Sequence, residues 1–258
     1  MRFLAFIILF FTFHGLLHTQ TVQVDYVGDP ISQKDHQKIE QMLRYEVKFY
    51  SQFGLPDTLS LQMHVFKRKM DGIAYLAGKN IFLHRSIIGM YSSSLNKAFI
   101  LGWEDGREKT LGVIYHELSH HFTRKITNNH PPIWLNEGLA EFFEHCKINK
   151  KGIEHTLTEY EQGRIRTMYM LDEINLSTFV NKNNKQFLEQ EYTDEQYSYI
   201  LSHALVTFWI EKVPNQILKD FISALQDPDD RSTIFQLIDR IYPKGFKQFE
   251  QDFKTFCE

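Results

Sequence analysis

The sequence predicts an α+β fold, because strand patterns come early in the chain and helical patterns come late. Residues 59–66 alternate between apolar and polar side chains, as in a half-buried strand, and residues 80–84 predict a second short strand. Apolar residues at helical spacing predict a helix at 110–123 and fill most of the chain after 192. We therefore expect a small N-terminal mixed sheet followed by a mainly helical part.

The remaining elements are predicted from local start and stop signals. Residues 32–53 have helical spacing, and Gly54, Leu55 and Pro56 end that helix. Pro131 and Pro132 stand where a new helix would start, since proline is tolerated in the first turn, and this helix is expected to reach about residue 146. Four more helices are predicted at 199–213, 216–225, 232–241 and 246–256, and residues 181–185 are predicted to form a solvated polar loop.

Length and charge limit the organisation and the partners. With 258 residues the chain is long enough for one sizeable domain, or for two small subdomains around a shared core. We expect an α+β subdomain at about 21–125 and a helical subdomain at about 126–258, with a cleft between them. The formal net charge of -3 and the lack of a long basic cluster predict that nucleic acid is not a partner.

The N-terminus has the pattern of a secretory signal peptide over residues 1–20. Arg2 precedes an apolar run at 3–13, and polar residues follow at 18–20. The run is shorter than the roughly 20 residues that span a bilayer, so we expect a secreted or periplasmic protein without stable membrane insertion. An N-terminal membrane anchor is the alternative. Export would allow Cys146 and Cys257 to pair, although two unpaired thiols are the preferred interpretation.

The sequence His116-Glu117-Leu118-Ser119-His120 lies inside the predicted helix at 110–123. Residues four apart share one helix face, so both imidazoles can reach one zinc ion. Glu117 can meet water held by the metal and act as its general base. A third protein ligand is needed to leave one coordination position open. Alone, the motif indicates metal binding only.

The following helix, at 134–144, reads W-L-N-E-G-L-A-E-F-F-E. It resembles the gluzincin metallopeptidases, most closely their small peptidase MA-like, or minigluzincin-type, members. The resemblance implies a zincin-like fold, one Zn²⁺ per chain, Glu137 as the third ligand, and Glu141 as a hydrogen-bond partner of a zinc-bound imidazole. The alternative is that both acids occupy a solvated helix face. The metzincin pattern is absent, because Thr123 and Ile126 stand where its glycine and third histidine would be.

The segment at 199–206 is similar to the Y-x-x-S-x-A-L-V helix of the peptidase MA-like families. This resemblance implies that Tyr199 donates a hydrogen bond to the oxyanion that develops when a carbonyl is attacked, with His203 and Tyr197 as substitutes. The alternative is a core aromatic residue, since aromatic side chains at helical spacing usually pack inside.

Residues 71–75, followed by 81–83, resemble the gluzincin edge strand that borders the active-site cleft. Gly72, Ile73 and Ala74 are thereby predicted to form a strand that a peptide substrate extends through its main chain. The aminopeptidase signature G-x-M-E-N is absent here, which argues against recognition of a free amino terminus by that arrangement.

Four other histidines have no assigned role in this pattern. His121 is rotated by about 100° from His120 on a helix, so it is expected to point away from the metal. His130 is a substitute ligand at best and is expected to be an exposed loop residue. No supporting pattern surrounds His145 or His155.

Together these features predict an exported zinc metallopeptidase, an endopeptidase rather than an aminopeptidase, that acts on peptide or protein substrates. The alternative is a non-catalytic, zinc-containing gluzincin-like module that binds a partner at the cell surface, and a structural protein with an accidental motif is a third interpretation. The intact Glu117 disfavours a binding module, which has no need for a base. The sequence leaves the substrate and the oligomeric state open.

Overall fold

The computed structural model describes residues 6–14, 19–84, 86–193 and 196–258. The chain divides into two units. The first, the sheet unit, comprises residues 1–122 and 146–153, and the second, the helical unit, comprises residues 123–145 and 154–258. A small mixed sheet and many helices confirm the predicted α+β class.

The sheet unit is built on a five-stranded sheet with the strand order β1-β2-β3-β5-β4. Strand β3 lies parallel to β2 and to β5, whereas β1 and β4 are antiparallel to their neighbours. A separate two-stranded sheet pairs β6 with β7. The strands are β1 (Phe6–His14), β2 (Thr19–Val27), β3 (Thr58–Phe66), β4 (Gly89–Ser92), β5 (Lys97–Leu101), β6 (Lys147–Asn149) and β7 (Gly152–Glu154).

Three helices accompany this sheet: α1 (Gln33–Tyr50), α2 (Lys69–Ala77) and α3 (Arg107–Ile126), whose last four residues belong to the helical unit. Contacts near both ends of α1 hold α3. At the first turn of α1 the Asp35 carboxylate accepts a hydrogen bond from Arg107 Nε at 2.6 Å. At its last residue the buried Tyr50 hydroxyl lies 2.7 Å from Ser119 Oγ. The helices predicted at 32–53 and 110–123 are therefore confirmed. The contacts with α1 fix the position of α3 and of the side chains that α3 carries.

The strand predicted at 80–84 is wrong. Residues 81–84 have no regular secondary structure and follow a turn after α2. Ile81 and Leu83 nevertheless pack against a buried apolar cluster formed by Phe66, Leu76, Phe99 and Leu101. Ile81 and Leu83 are therefore apolar because they face this cluster, and among the described residues the segment pairs with no strand.

The edge strand predicted at Gly72, Ile73 and Ala74 is also wrong, because all three residues lie in α2. Gly72 faces the sheet so closely that a Cβ atom there would lie 2.3 Å from Leu101 Cδ2. The glycine therefore serves the packing of α2 on β5. The edge of the sheet is formed instead by β4, four residues that follow this segment.

The helical unit contains α4 (Ile133–Glu144), α5 (Glu159–Met170), α6 (Leu176–Phe179), α7 (Asn184–Thr193), α8 (Tyr197–Glu211), α9 (Asn215–Gln226), α10 (Ile234–Ile241) and α11 (Phe246–Cys257). Helix α8 is buried along most of its length. Helix α4 approaches it at Gly138, where a Cβ atom would lie 2.4 Å from the Ser202 carbonyl oxygen. Only glycine permits this distance, so Gly138 sets the spacing of the two helices.

The structure confirms the predicted helices corresponding to α4 and α8–α11 but adds α5–α7, and α7 begins inside the segment predicted as a polar loop. Strand β1 covers residues 6–14 of the predicted signal peptide, whereas Arg2 and residues 15–18 of that prediction lie outside the described residues. Across the described residues no helix combines the length and hydropathy that crossing a bilayer requires. No disulfide joins Cys146 to Cys257, in line with the preferred interpretation.

Candidate active site

The two motif histidines lie side by side on α3 in the sheet unit. Their ring centroids are 4.7 Å apart and the ring planes are nearly perpendicular, at 88°. Both histidines are half-buried, and Glu117 between them is buried. The helix presents these side chains from a fixed position because its other face is buried in the core through Leu111, Val113, Ile114, Leu118 and Phe122.

Strand β4 lies directly against this part of α3. A Cβ atom on Gly89 would come within 2.4 Å of Val113 Cγ1 and 2.5 Å of Glu117 Oε1, so glycine is required where the strand crosses the helix. Further along β4, the Tyr91 hydroxyl lies 3.2 Å from Nδ1 of the buried His121. Strand β4, at one edge of the sheet, therefore borders Glu117. His121 contacts Tyr91 of that strand and helps to fix its position.

Glu46, to which the sequence analysis gave no role, has a carboxyl group that interacts with His116. Glu46 of α1 is fully buried, and among the described residues neither of its carboxyl oxygens has a hydrogen-bond partner. Burial raises the pKa of this carboxyl well above its usual value, and the charge interaction with His116 opposes that rise. The sheet unit thus places a buried carboxyl group with a raised pKa close to one of the two motif histidines.

Glu137 and Glu141, predicted from the motif of the second helix, lie one turn apart on α4 in the helical unit. Both are half-buried. Glu137 Oε1 accepts a hydrogen bond from Asn136 Nδ2 at 3.0 Å, which orients the carboxylate. Glu141 Oε2 lies 3.7 Å from His145 Nδ1. Neither side chain has the exposure of a solvated helix face.

The three candidate oxyanion donors of α8 have different surroundings. Tyr199 is half-buried, and its ring meets the Phe187 ring edge-on at a centroid distance of 5.4 Å. The buried Tyr197 donates its hydroxyl to the Glu173 carbonyl at 3.1 Å. His203 has no exposed surface, and its Nδ1 is bonded to Glu161. Burial disfavours the last two as donors to a substrate and leaves Tyr199 preferred.

The structure also groups histidines that the sequence did not connect. Glu141, His145 and His203 each offer a ligand atom within 4.8 Å of the others, and His155 Nε2 lies 2.8 Å from His203 Nε2. Glu141 and His145 lie four residues apart at the end of α4, but His155 and His203 come from other parts of the helical unit, so local spacing could not have found the whole group. His130 is exposed, as expected.

The chemistry of these side chains suits zinc, for which imidazole nitrogen and carboxylate oxygen are ordinary ligands. The described residues include groups of histidine and glutamate compatible with such an ion. Within the sheet unit, two imidazoles and a buried carboxylate project from neighbouring turns of one rigid helix. This arrangement can bind a metal and can accept a proton beside it.

A model of the protein family described as "BSP: Peptidase of plants and bacteria" matches residues 20–211. Among solved structures, the chain is similar to a variant of an M1 zinc metallopeptidase from Deinococcus radiodurans bound to a Tyr-Ser-Ala substrate. The TM-score is 0.52, and the sequence identity is 13% over 98% of this chain and 52% of that chain. A second structure of a variant of that peptidase gives a TM-score of 0.42 and 12% identity over 93% and 49% of the two chains. The chain thus spans about half the length of these peptidases (52% of the first), and the first likeness indicates a shared fold. Comparison with curated proteins found no match.

Proposed function

We propose, on the premise that this chain belongs to the peptidase family of plants and bacteria, that it is an exported zinc-dependent endopeptidase. The observation that carries the proposal is the pairing of His116 and His120 on α3, with the buried Glu117 between them and against the edge strand β4. A zinc-dependent hydrolase needs this combination: paired imidazoles, an adjacent base and a place for the substrate.

In this proposal His116, His120 and Glu137 hold the zinc ion. Two neutral imidazoles and one carboxylate form a ligand set that leaves a fourth position open. When bound, zinc supplies Lewis-acid activation of water and of the substrate carbonyl. Glu141 would orient one of the metal-bound imidazoles by accepting its second N–H, an interaction whose loss typically costs 10- to 100-fold in affinity or activity.

Glu117 acts as the general base. It takes a proton from the attacking water and returns it to the leaving amine, which splits the peptide bond without a covalent intermediate on the protein. Its burial against Gly89 and Val113 restricts the positions that its carboxylate can adopt. Tyr199 donates its hydroxyl to the carbonyl oxygen as negative charge develops there.

Strand β4 provides the place for the substrate. It forms one end of the strand order, so in the described part of the sheet it is paired on one side, by β5. A peptide in extended conformation could pair with the other side and bring a carbonyl group close to Glu117. The strand, Gly89–Ser92, contains no carboxylate that would bind a free amino terminus, which favours cleavage inside a chain over aminopeptidase action.

A zinc-containing binding module without catalysis is the second candidate. A module that only binds has no use for a buried carboxylate held beside two metal-binding imidazoles, because burying a charge costs free energy. The position of Glu117 therefore favours the enzyme.

The test is incubation of the purified chain with a mixed peptide library, with and without a zinc chelator. We expect chelator-sensitive cleavage at internal bonds, and mass spectrometry of the products separates this from stepwise removal of amino-terminal residues. Glu137→Ala is expected to lose the zinc ion of this site and the activity, whereas Glu159→Ala, at an exposed site on α5, retains both. Full zinc content in Glu137→Ala would show that the third ligand lies elsewhere.

Export is tested separately by expressing the full chain and sequencing the amino terminus of the mature protein. A new terminus near residue 20 in the extracellular or periplasmic fraction is the expected result. An intact protein retained in the membrane fraction would support the anchored alternative.

A further inference from the structure

Three histidines of the helical unit pack together. His145 follows α4, His155 follows β7, and His203 lies within α8. The ring centroids of His145 and His203 are 4.5 Å apart, and those of His155 and His203 are 5.1 Å apart. Close packing of imidazole rings inside a protein calls for a partner that satisfies their nitrogens.

The proton of His203 is fixed on Nδ1 by Glu161. His203 Nδ1 lies 2.7 Å from Glu161 Oε1, while Oε2 of the same carboxylate accepts from the Thr158 N–H at 2.8 Å and from its hydroxyl at 2.7 Å. Burial alone would raise the pKa of Glu161, but the hydrogen bonds from His203 and Thr158 outweigh it and hold the pKa at about 2. Burial also lowers the pKa of His203. With its Nδ1–H donated to Glu161, a neutral His203 has its lone pair on Nε2.

His145 has the same tautomer for a different reason. Its Nδ1 lies 2.9 Å from the backbone oxygen of Glu141, and because a carbonyl can only accept, Nδ1 must donate. In its neutral form His145 thus also has its lone pair on Nε2. Histidines in metal sites are oriented in this way: the Nδ1–H is hydrogen-bonded to a carboxylate or a carbonyl, and Nε2 is left to bind the metal.

We propose that His145, His155 and His203, together with Glu141, form a second metal site, for Zn²⁺ or a similar divalent transition metal, inside the helical unit. Glu141, His145 and His203 already offer ligand atoms within 4.8 Å of one another. Four protein ligands fill a tetrahedral shell, so this site would be closed to substrate and would tie together α4, α8 and the chain before α5. Its three histidines have no part in the proposed peptidase mechanism, whereas Glu141 would be shared with the catalytic site.

His155 supplies the fourth ligand by moving its proton. Its Nε2 lies 2.8 Å from His203 Nε2, where it can donate a hydrogen bond when no metal is bound. Burial, the largest cause, lowers the pKa of His155 to about 3, so the ring is neutral. With the proton on Nδ1, 3.6 Å from Glu211 Oε1, Nε2 becomes a ligand. Zinc–nitrogen bonds of about 2.0–2.1 Å require the two nitrogens to separate by roughly 0.5 Å.

The test counts metal ions in a tag-free, full-length chain. The variant His116→Ala/His120→Ala removes the proposed catalytic site, and the metal-free form is titrated with Co²⁺, whose visible absorption reports four-coordinate nitrogen and oxygen ligation. We expect two ions in the wild type and one in this variant. Adding His145→Gln should weaken the remaining binding by at least about 100-fold, since a direct ligand matters more than the partners whose loss costs 10- to 100-fold.

The controls separate ligand loss from unfolding and from failure of the catalytic proposal. His130→Gln, at an exposed loop residue, should leave both ions bound. His203→Gln is buried, so circular dichroism must show a folded chain before its metal count is used. One ion in the wild type that is lost in His116→Ala/His120→Ala would overturn the second site while supporting the first. One ion that persists in that variant and is lost with His145→Gln would support the second site alone.

Discussion

Gly138→Ala tests the packing of α4 on α8, on which the position of the neighbouring Glu137 depends. The new Cβ atom would lie 2.4 Å from the Ser202 carbonyl oxygen and 2.6 Å from Val206 Cγ2. The first contact is with backbone, so a rotamer change cannot relieve it and the helices must move apart. Overpacking of this kind costs about 1–3 kcal/mol, and alanine recovers up to about 1 kcal/mol in helix propensity. We expect a net loss of about 1–2 kcal/mol.

Gly163→Ala is the matched control. Gly163 also lies inside a helix, α5, but a Cβ atom there would meet nothing within 4 Å. It should therefore stabilise the chain by about 0.5–1 kcal/mol. At roughly 2–4 °C per kcal/mol, Gly138→Ala should lower the Tm by about 2–8 °C, and Gly163→Ala should raise it by about 1–4 °C. Thermal unfolding followed by circular dichroism measures both. Equal or higher stability of Gly138→Ala would refute the close approach.

Three further changes test the site and its support. Gly89→Ala places a Cβ atom 2.5 Å from Glu117 Oε1, so kcat should fall at least about tenfold while the zinc content stays unchanged. Steady-state hydrolysis and metal analysis measure the two quantities. An unchanged kcat would contradict the contact. Tyr199→Phe should lower kcat by about 10²–10³ without loss of zinc, whereas Tyr197→Phe, which removes a hydroxyl bonded to a carbonyl, should affect stability only. Burial alone would raise the Asp35 pKa, but the hydrogen bond and charge of the Arg107 guanidinium and the hydrogen bond from Ser32 lower it. Asp35→Asn should therefore reduce the free energy of unfolding by about 1 kcal/mol at pH 7. A carboxyl group with a lowered pKa stabilises the fold at pH values above its unfolded-state pKa of about 3.9. In urea denaturation the unfolding free energies of the variant and the wild type should therefore converge as the pH falls below 4. A constant difference down to pH 2 would refute this.

The two helices that carry the motifs were predictable because their information is local. The four-residue spacing of His116 and His120, and the proline pair before α4, identify helix and face without knowledge of the fold. The absence of a side chain at Gly138 permits close packing against a neighbouring element. Its partner, the backbone of Ser202, is more than 60 residues away, and only the structure identifies it.

The edge strand shows where local reasoning failed. Ile81, Phe82 and Leu83 form a short apolar run, yet Ile81 and Leu83 cover an apolar cluster from an irregular segment and Phe82 is exposed. The real edge, β4, has four half-buried residues and no alternation of burial, so its sequence has no period to detect. Burial against a helix, which makes Gly89 necessary, is a tertiary constraint that spacing does not express.

The histidine cluster could not be predicted for a similar reason. His145, His155 and His203 lie in three separate stretches of the sequence, and His155 and His203 are 48 residues apart. Their tautomers follow from hydrogen bonds made by the Glu141 backbone and by Glu161. The composition offered one signal, a total of 12 histidines, more than one metal site requires.

The base assigned to Glu117 is the central claim, and Glu117→Gln tests it most directly. Glutamine has nearly the same shape but cannot accept the proton, so zinc content should equal that of the wild type. The rate of peptide hydrolysis per bound zinc should fall by about 10²–10⁴. Wild-type hydrolysis by a zinc-loaded Glu117→Gln variant would contradict the account.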